Sequence, residues 1–474
     1  MGVATFLVDR LVHFLKFNPT DCQRRVFERL ADFVSGVSGN DILLINGYAG
    51  TGKTASIAAF VALLKETERR FVLMAPTGRA AKVLSNYTKE NAYTIHKQIY
   101  RQKSMDGSGG SFSLDFNKCN DTFFIVDEAS LISSYSSGSN FGSGDLLEDV
   151  ICYVREGRGN RLILIGDDAQ LPPIALERSP ALDMSYLQNY GYVESVSMTS
   201  VVRQSLDSGI LYNATILRKL IKEVEECGYF QGGLSDVLAS FNLNFEDVFS
   251  INGGDLIESI SDSFDKFGMD ETVVLCRSNK RANRYNGGIR SSILYREERL
   301  SRGDKLMVVK NCYNFLKDVK EMDFIANGDV AELMRIHNYE KRYGLTFADA
   351  VLSFPDYKDI EIDAKIVLDT LESETPSLSK EQQNALYEGV YLDYEHISTK
   401  KKRNEAVRED PFYNALQIKY ASAITCHKSQ GGQWDSVFVD NPFWKDEVTL
   451  DDLKWLYTAM TRGVKRVYFV NFKF

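Results

Sequence analysis

Four short apolar runs, Ile42–Ile45, Phe71–Met74, Phe123–Val126 and Leu162–Ile165, each break off into polar or glycine residues, and helical patterns such as Ala55–Leu64 lie between them. A strand buried on both faces needs an uninterrupted apolar run, so strand-helix alternation of this kind predicts a doubly wound, parallel α/β sheet. A second set, Val273–Cys276, Val437–Val439 and Val467–Val470, predicts a second such sheet in the C-terminal half. Three segments break the pattern. Lys103–Ser113 is a Gly/Ser turn between short runs holding Ile99, Tyr100, Phe112 and Leu114, which predicts a β-hairpin over 97–120. Ser133–Gly144 is nearly pure Ser/Gly and reads as a mobile loop. The stretch 331–414 is polar, lacks the buried-strand pattern and reads as an inserted subdomain, with helix-prone Lys380–Tyr387 and a basic run, Lys400–Arg403, inside it.

Composition narrows the class. A chain of 474 residues with 44% hydrophobic and 26% charged positions has room for two to four domains and excludes wholesale disorder. Seven scattered cysteines without a CxxC pair exclude a zinc or disulfide framework, and Asp9, Arg10 and Lys16 interrupt the N-terminal apolar stretch that a signal peptide or membrane span would need. The expected setting is a reducing, cytoplasmic one with no membrane. The 56 Lys+Arg against 65 Asp+Glu leave a net charge of -9, which on its face argues against a polyanionic partner.

The chemistry-bearing residues begin at Gly47-Tyr48-Ala49-Gly50-Thr51-Gly52-Lys53-Thr54, a full GxxxxGK[ST] between a predicted strand and an apolar helix. Such a loop curls its N–H groups around phosphate oxygens, while Lys53 reaches the terminal phosphates and Thr54 offers a hydroxyl to Mg²⁺. Asp127 and Glu128 follow a buried strand, at the edge where open α/β sheets place ligands. In a phosphate-loop protein the first would hold Mg²⁺ and the second would orient or deprotonate water, so the pair points to hydrolysis. Gln170 follows the strand that ends at Gly166-Asp167, where a neutral amide can sense the γ-phosphate or the attacking water.

Further blocks come in a fixed order: Thr20-x-x-Gln23, Ala75-Pro76-Thr77-Gly78-Arg79, Thr94-Ile95-His96, Gly166-Asp167-Asp168-Ala169-Gln170, Val202-Arg203-Gln204, Thr425-x-His427-Lys428-Ser429-Gln430-Gly431 and Tyr457-Thr458-Ala459-Met460-Thr461-Arg462. With the phosphate loop and the Asp-Glu pair, this series resembles the superfamily 1 helicases, in the branch of RecD, Dda and Pif. The resemblance implies two RecA-like P-loop domains in tandem, with a β-hairpin inserted in the first and a small SH3-like, β-rich insertion in the second. It divides the chain into a first domain at 1–200 interrupted by a pin at 97–120, a second domain at 201–330 and 415–474, and an insert at 331–414.

It also implies roles. Lys53, Asp127, Glu128, Gln170 and two arginine fingers, Arg203 and Arg462, would carry catalysis. Gln23, Gly47, Ala49, Gly50, Thr51, Gly52, Lys53, Thr54 and Gly431 would hold ATP, with Mg²⁺ on Thr54 and Asp127. Thr77, Arg79, Thr94, His96, Thr425, His427 and Lys428 would line the nucleic-acid path, and Tyr100 or Phe112 would serve as a base-stacking wedge unless the hairpin turns them into the core. The HKxQG wording at 427–431 implies 5′ to 3′ movement on single-stranded DNA and at single-strand/duplex junctions, as a monomer. An RNA or RNA-DNA helicase, or an ATP-gated single-strand clamp, are the alternatives.

Overall fold

The computed structural model describes residues 3–36, 41–102, 112–134, 142–174, 176–202, 207–230, 232–312, 314–316, 319, 322 and 324–474. Strands β1 (Ile42–Gly47), β2 (Arg70–Ala75) and β3 (Ala92–Thr94) precede an antiparallel hairpin of β4 (Tyr100–Gln102) and β5 (Phe112–Leu114). After it come β6 (Thr122–Val126), β7 (Arg161–Gly166) and β8 (Val193–Met198). Outside the hairpin these form one parallel sheet in the order β3-β2-β6-β7-β1-β8. Alternate residues of β1 and β7 enter opposite cores: Ile42, Leu44, Leu162 and Leu164 on one face, Leu43, Ile45, Ile163 and Ile165 on the other. Double burial, at about 1.5–3 kcal/mol for each large aliphatic side chain, explains why these strands carry no polar alternation.

The second half begins with β9 (Val248–Ile251) and β10 (Thr272–Cys276). Then come β11 (Lys305–Val308), β12 (Val330–Arg342), β13 (Leu345–Phe354), β14 (Ile360–Val367) and β15 (Leu416–Tyr420). The chain ends with β16 (Ala423–Thr425), β17 (Trp434–Asp440) and β18 (Gly463–Val470). The second sheet is again parallel, in the order β16-β10-β17-β18-β9. Strands β11 to β15 close into a barrel, antiparallel throughout except where β14 meets β15 at Ile366↔Leu416. The barrel therefore recruits β11 and β15 from outside the polar stretch 331–414. Between β14 and β15 lie helices Lys380–Asp393 and Lys400–Glu409, seated on the barrel through Leu386, Val390 and Val407 against Leu345, Phe347 and Val367.

The hairpin decides between the two readings of its aromatics. Tyr100 and Phe112 are both buried in the first domain's core, and the Tyr100 hydroxyl donates to Asp149 Oδ2 at 2.5 Å. Neither ring is available to stack on a base. The hairpin tip at 103–111 and residues 135–141 of the Ser/Gly loop lie outside the described residues. Among the described residues no helix is long and apolar enough to cross a membrane.

Candidate nucleotide site and nucleic-acid interface

β1 runs straight into the phosphate loop. Gly50 and Gly52 take φ of 74° and 83°, the left-handed region that glycine enters at no steric cost, and helix Lys53–Glu66 starts at once. A Cβ on Gly47 would sit 2.9 Å from Lys53 Cγ and 3.1 Å from Met198 Cβ, and one on Gly52 would sit 2.5 Å from Gln23 Nε2, so the loop is closely packed at both glycines and its positive φ favours glycine at 52. Loop N–H groups and the helix N-terminus together make an anion cradle. The Lys53 ammonium donates to the carbonyls of Gly47 and Tyr48 and lies 3.9 Å from Asp167 Oδ2. Thr51, fully buried, donates its hydroxyl to the Tyr48 carbonyl at 2.7 Å, and Thr54 occupies the second helical position.

β6 delivers Asp127 to the same edge. Burial, then the neighbouring Glu128 charge, pushes the Asp127 carboxyl up from its ordinary range, against a 2.9 Å hydrogen bond from the Glu128 N–H. Glu128 itself sits at φ 52°. Glu128 Oε2 and Gln170 Oε1 are buried without a hydrogen-bond partner among the described residues. An unmet buried acceptor costs about 1–3 kcal/mol, so two of them are suited to a ligand or ordered water that completes them. An all-oxygen donor set beside a phosphate cradle fits a nucleoside triphosphate with Mg²⁺, which Thr54 and Asp127 would hold and which would neutralise phosphate charge.

Gln23 is more committed than its sequence position implies. Its Oε1 accepts the Thr20 N–H at 2.9 Å while Thr20 Oγ1 accepts the Gln23 N–H, a capping box for helix Asp21–Ser35, and its Nε2 donates to the Thr51 carbonyl at 3.2 Å. It lies under the phosphate loop, with one Nε2 hydrogen left to offer.

The second domain closes over the loop through helix Leu450–Met460. The Tyr457 hydroxyl accepts the Ala49 N–H at 2.9 Å and donates to Asp167 Oδ2 at 2.7 Å. Leu171 N–H donates to Thr458 Oγ1 at 2.8 Å, Lys454 Nζ to the Asp168 carbonyl at 3.1 Å and Gln430 Nε2 to the Leu171 carbonyl at 2.6 Å. On helix Gly209–Cys227, Arg218 lies 4.3 Å over the Tyr48 ring. Sequence reasoning singled out none of Lys454, Tyr457 and Thr458, although the last two stand in the final motif. Arg462, 3% exposed, donates to the carbonyls of Thr458 and Gly432 at 3.2 Å each, both in its own domain. Arg203 lies outside the described residues.

Of the expected nucleic-acid residues, Thr77 and Arg79 meet the second domain at this seam, Thr94 borders the cavity beside Phe324 and Tyr357, and Thr425 and Lys428 lie beside Asn279 and Lys419 of the second domain. Thr77 and Thr94 cap helices Gly78–Thr88 and Ile95–Ile99, accepting the N–H of Ala80 and Lys97 at 3.2 Å each. Arg79 lies 4.0 Å over the Trp434 ring and donates across the seam to the Gln433 carbonyl at 2.8 Å. Gly431, expected among the nucleotide ligands, lies instead against this group: a Cβ there would be 3.0 Å from Thr77 Oγ1 and from Ala80 Cβ. Burial drives the His96 imidazole down to about 4, despite the Asp149 charge, so it is a neutral group at pH 7. Burial also lowers His427. Thr425 heads the turn carrying His427 and Lys428; the Lys428 ammonium has no hydrogen-bond partner among the described residues, and burial with the nearby Lys419 brings it down to about 8.

A family model described as an AAA domain matches residues 20–219, and one described as the UvrD-like helicase C-terminal domain matches 420–470. The ATP-dependent RecD2 DNA helicase of Deinococcus radiodurans is 26% identical over 197 residues, which are 41% of this chain and 24% of that protein. The ATP-dependent DNA helicase dda of Enterobacteria phage T4 is 24% identical over 458 residues, 90% of this chain and 93% of that one. A Pif1 helicase from Bacteroides, solved with ADP-AlF3 and ssDNA, is 14% identical with a TM-score of 0.48, over 96% of this chain and 93% of that one. The chain spans less than half the length of the first curated relatives it matches, 39% and 24%. With an AAA-domain match followed by a UvrD-like helicase C-terminal match, and similarity to Dda along most of its length, the chain is similar to the superfamily 1 helicases of the RecD and Dda group.

Proposed function

We propose that the chain is an ATP-dependent helicase and translocase that moves 5′ to 3′ along single-stranded DNA. The observation that carries this reading is the Ala49–Tyr457 hydrogen bond, because it makes one seam both the floor of the phosphate cradle and the junction of the two sheets. Lys53 would leave its loop carbonyls for the phosphates, Glu128 would take the proton of the attacking water, and Gln170 would orient that water through its free Oε1. Bound Mg²⁺ supplies charge neutralisation of the transferred phosphoryl oxygens. Arg462 would have to leave the Thr458 and Gly432 carbonyls to reach phosphate, a change of partners suited to a cleft that alters with each turnover; Arg203 is the second finger.

On the other side of the seam, Thr77, Arg79, Thr94 and His96 from the first domain and Thr425, His427 and Lys428 from the second would hold sugar and phosphate, so a shift of the seam moves one set against the other. This reading gives domains at 1–200 and at 201–330 with 415–474, with inserts at 97–120 and 331–414, except that the barrel also takes Lys305–Val308 and Leu416–Tyr420 from the second of them. One chain then holds both halves of the nucleotide site, so a monomer suffices. Strand displacement on duplexes with a 5′ or a 3′ tail tests it: unwinding should require the 5′ tail, and Lys53→Ala should abolish ATP turnover while ssDNA binding persists. Faster unwinding from the 3′ tail would overturn the polarity, and ATPase indifferent to ssDNA would overturn the motor.

A further inference from the structure

Tyr457 is fully buried, 1% exposed, on the helix Leu450–Met460 that the second domain lays over the phosphate loop. Its hydroxyl has a fixed polarity. Asp167, wholly buried, is a carboxylate and can only accept, so Tyr457 must donate its proton to Asp167 Oδ2, at 2.7 Å. The lone pairs of the hydroxyl oxygen are then the part that faces the loop, and the Ala49 N–H donates to them at 2.9 Å. Asp167 is held in turn by the Ala169 N–H on Oδ1 at 3.1 Å. Ala49 is the third residue of the GxxxxGK[ST] loop, one of the N–H groups that would surround a phosphate. In this structure a side-chain oxygen from the other domain takes that donor, while Lys53 is satisfied by the loop's own carbonyls.

We propose that the Tyr457 hydroxyl is a phosphate surrogate: a positioning group that occupies the cradle and ties the two domains together until a nucleotide phosphate displaces it. The inference rests on the reading of the loop as an ATP site. A neutral hydroxyl is suited to the task because a charged phosphate oxygen makes a hydrogen bond roughly twice as strong and so wins the exchange. Release of Tyr457 is felt along its helix, since the next residue, Thr458, holds Leu171 N–H and also bonds Arg462 through its carbonyl. Phosphate arrival at Ala49 thus loosens the anchor of the proposed finger.

Tyr457→Phe keeps the buried ring and removes both hydrogen bonds. Without nucleotide, Ala49 loses its acceptor; with nucleotide, phosphate supplies one. A fluorescent, non-hydrolysable ATP analogue should therefore bind the variant about fivefold more tightly than the wild type, and KM for ATP should fall while kcat does not rise with it. A purely structural tyrosine would instead lower Tm and weaken binding. Equal or weaker binding by a folded Tyr457→Phe protein overturns the surrogate. Should that variant fail to fold, Asp167→Asn replaces it: its amide can donate to the Tyr457 oxygen and compete with Ala49, so tighter binding is again expected and weaker binding overturns the idea. A wild-type protein that does not bind the analogue would sink the ATP site itself, and this inference with it.

Discussion

Lys428 is a cation whose charge is conditional. Burial and Lys419 bring its ammonium down to about 8, so the free protein begins to lose this charge just above physiological pH. A phosphate at that position would favour the protonated form, and single-strand binding should therefore take up a proton. Affinity for a labelled oligonucleotide, measured by anisotropy, should be steady up to about pH 7 and fall as the pH rises through 8. Lys428→Arg should flatten that fall while preserving binding, because a guanidinium stays charged; an unchanged pH profile would remove Lys428 from the strand path. His96 runs the other way: with its imidazole at about 4, below the ordinary value of 6.5, it favours the folded state as the neutral form above pH 6.5, and that stabilisation is lost as pH falls toward 4. A contact between it and a bound strand would therefore be a neutral hydrogen bond. The residue scale also shows what a motif conceals. Thr20-x-x-Gln23 has the spacing of a capping box, which was legible, whereas the Nε2 contact to Thr51 depends on how helix and loop pack and was not.

Elements divide by how they are buried. Seven strands of the two parallel sheets, β1, β2, β6, β7, β10, β17 and β18, were legible because each holds a buried apolar run, whereas β3, β8, β9 and β16 were not: β8, for one, carries Glu194, Ser195 and Ser197 and is only partly buried. The barrel was expected from the family resemblance, as a β-rich insertion, and not from the residue pattern: β12 runs from Val330 to Arg342 with only Ala331 and Leu333 fully buried, and its charged far end imitates a loop. Likewise the antiparallel β14, Ile360–Val367, alternates Ile362 and Ala364 inward with Glu361 and Asp363, so no apolar run announces it. What the barrel does is visible in its contact with helix Gly78–Thr88. Lys82 Nζ donates to Asp356 Oδ1 at 2.8 Å, and a Cβ on Gly78 would meet Asp329 Oδ1 at 2.9 Å. Between these elements lies a cavity of about 360 Å³ bordered by Thr94, Tyr93, Tyr357 and Lys358. The barrel therefore presents carboxylates to the helix start and the lysine that face this space. Asp356→Asn should free Lys82 and raise single-strand affinity several-fold at low salt, since an exposed ion pair contributes only about 0–1 kcal/mol to stability and its loss leaves the fold intact. Unaltered affinity would mean that the barrel contact lies off the strand path.

At the scale of the whole molecule, the net charge of -9 and the proposed polyanionic partner are compatible because charge sums over a surface while binding occurs along one seam. Three cations are already conditioned: Arg79 is engaged with Trp434 and the Gln433 carbonyl, Lys82 with Asp356, and Lys428 loses most of its charge above pH 8. The helix Lys400–Glu409 carries Lys400, Lys401 and Lys402 exposed in its first turn, while Arg403 is spent on the carbonyls of Glu395 and Ile397. If the strand follows the seam alone, no more than about three phosphates are neutralised, and the slope of log affinity against log salt should be no steeper than about -2. Replacing Lys400, Lys401 and Lys402 together by Gln should leave that slope unchanged. A steeper slope that relaxes in the triple variant would extend the binding surface from the seam onto the helical cap of the barrel, and would make the insert a working part of the nucleic-acid path rather than its acidic boundary.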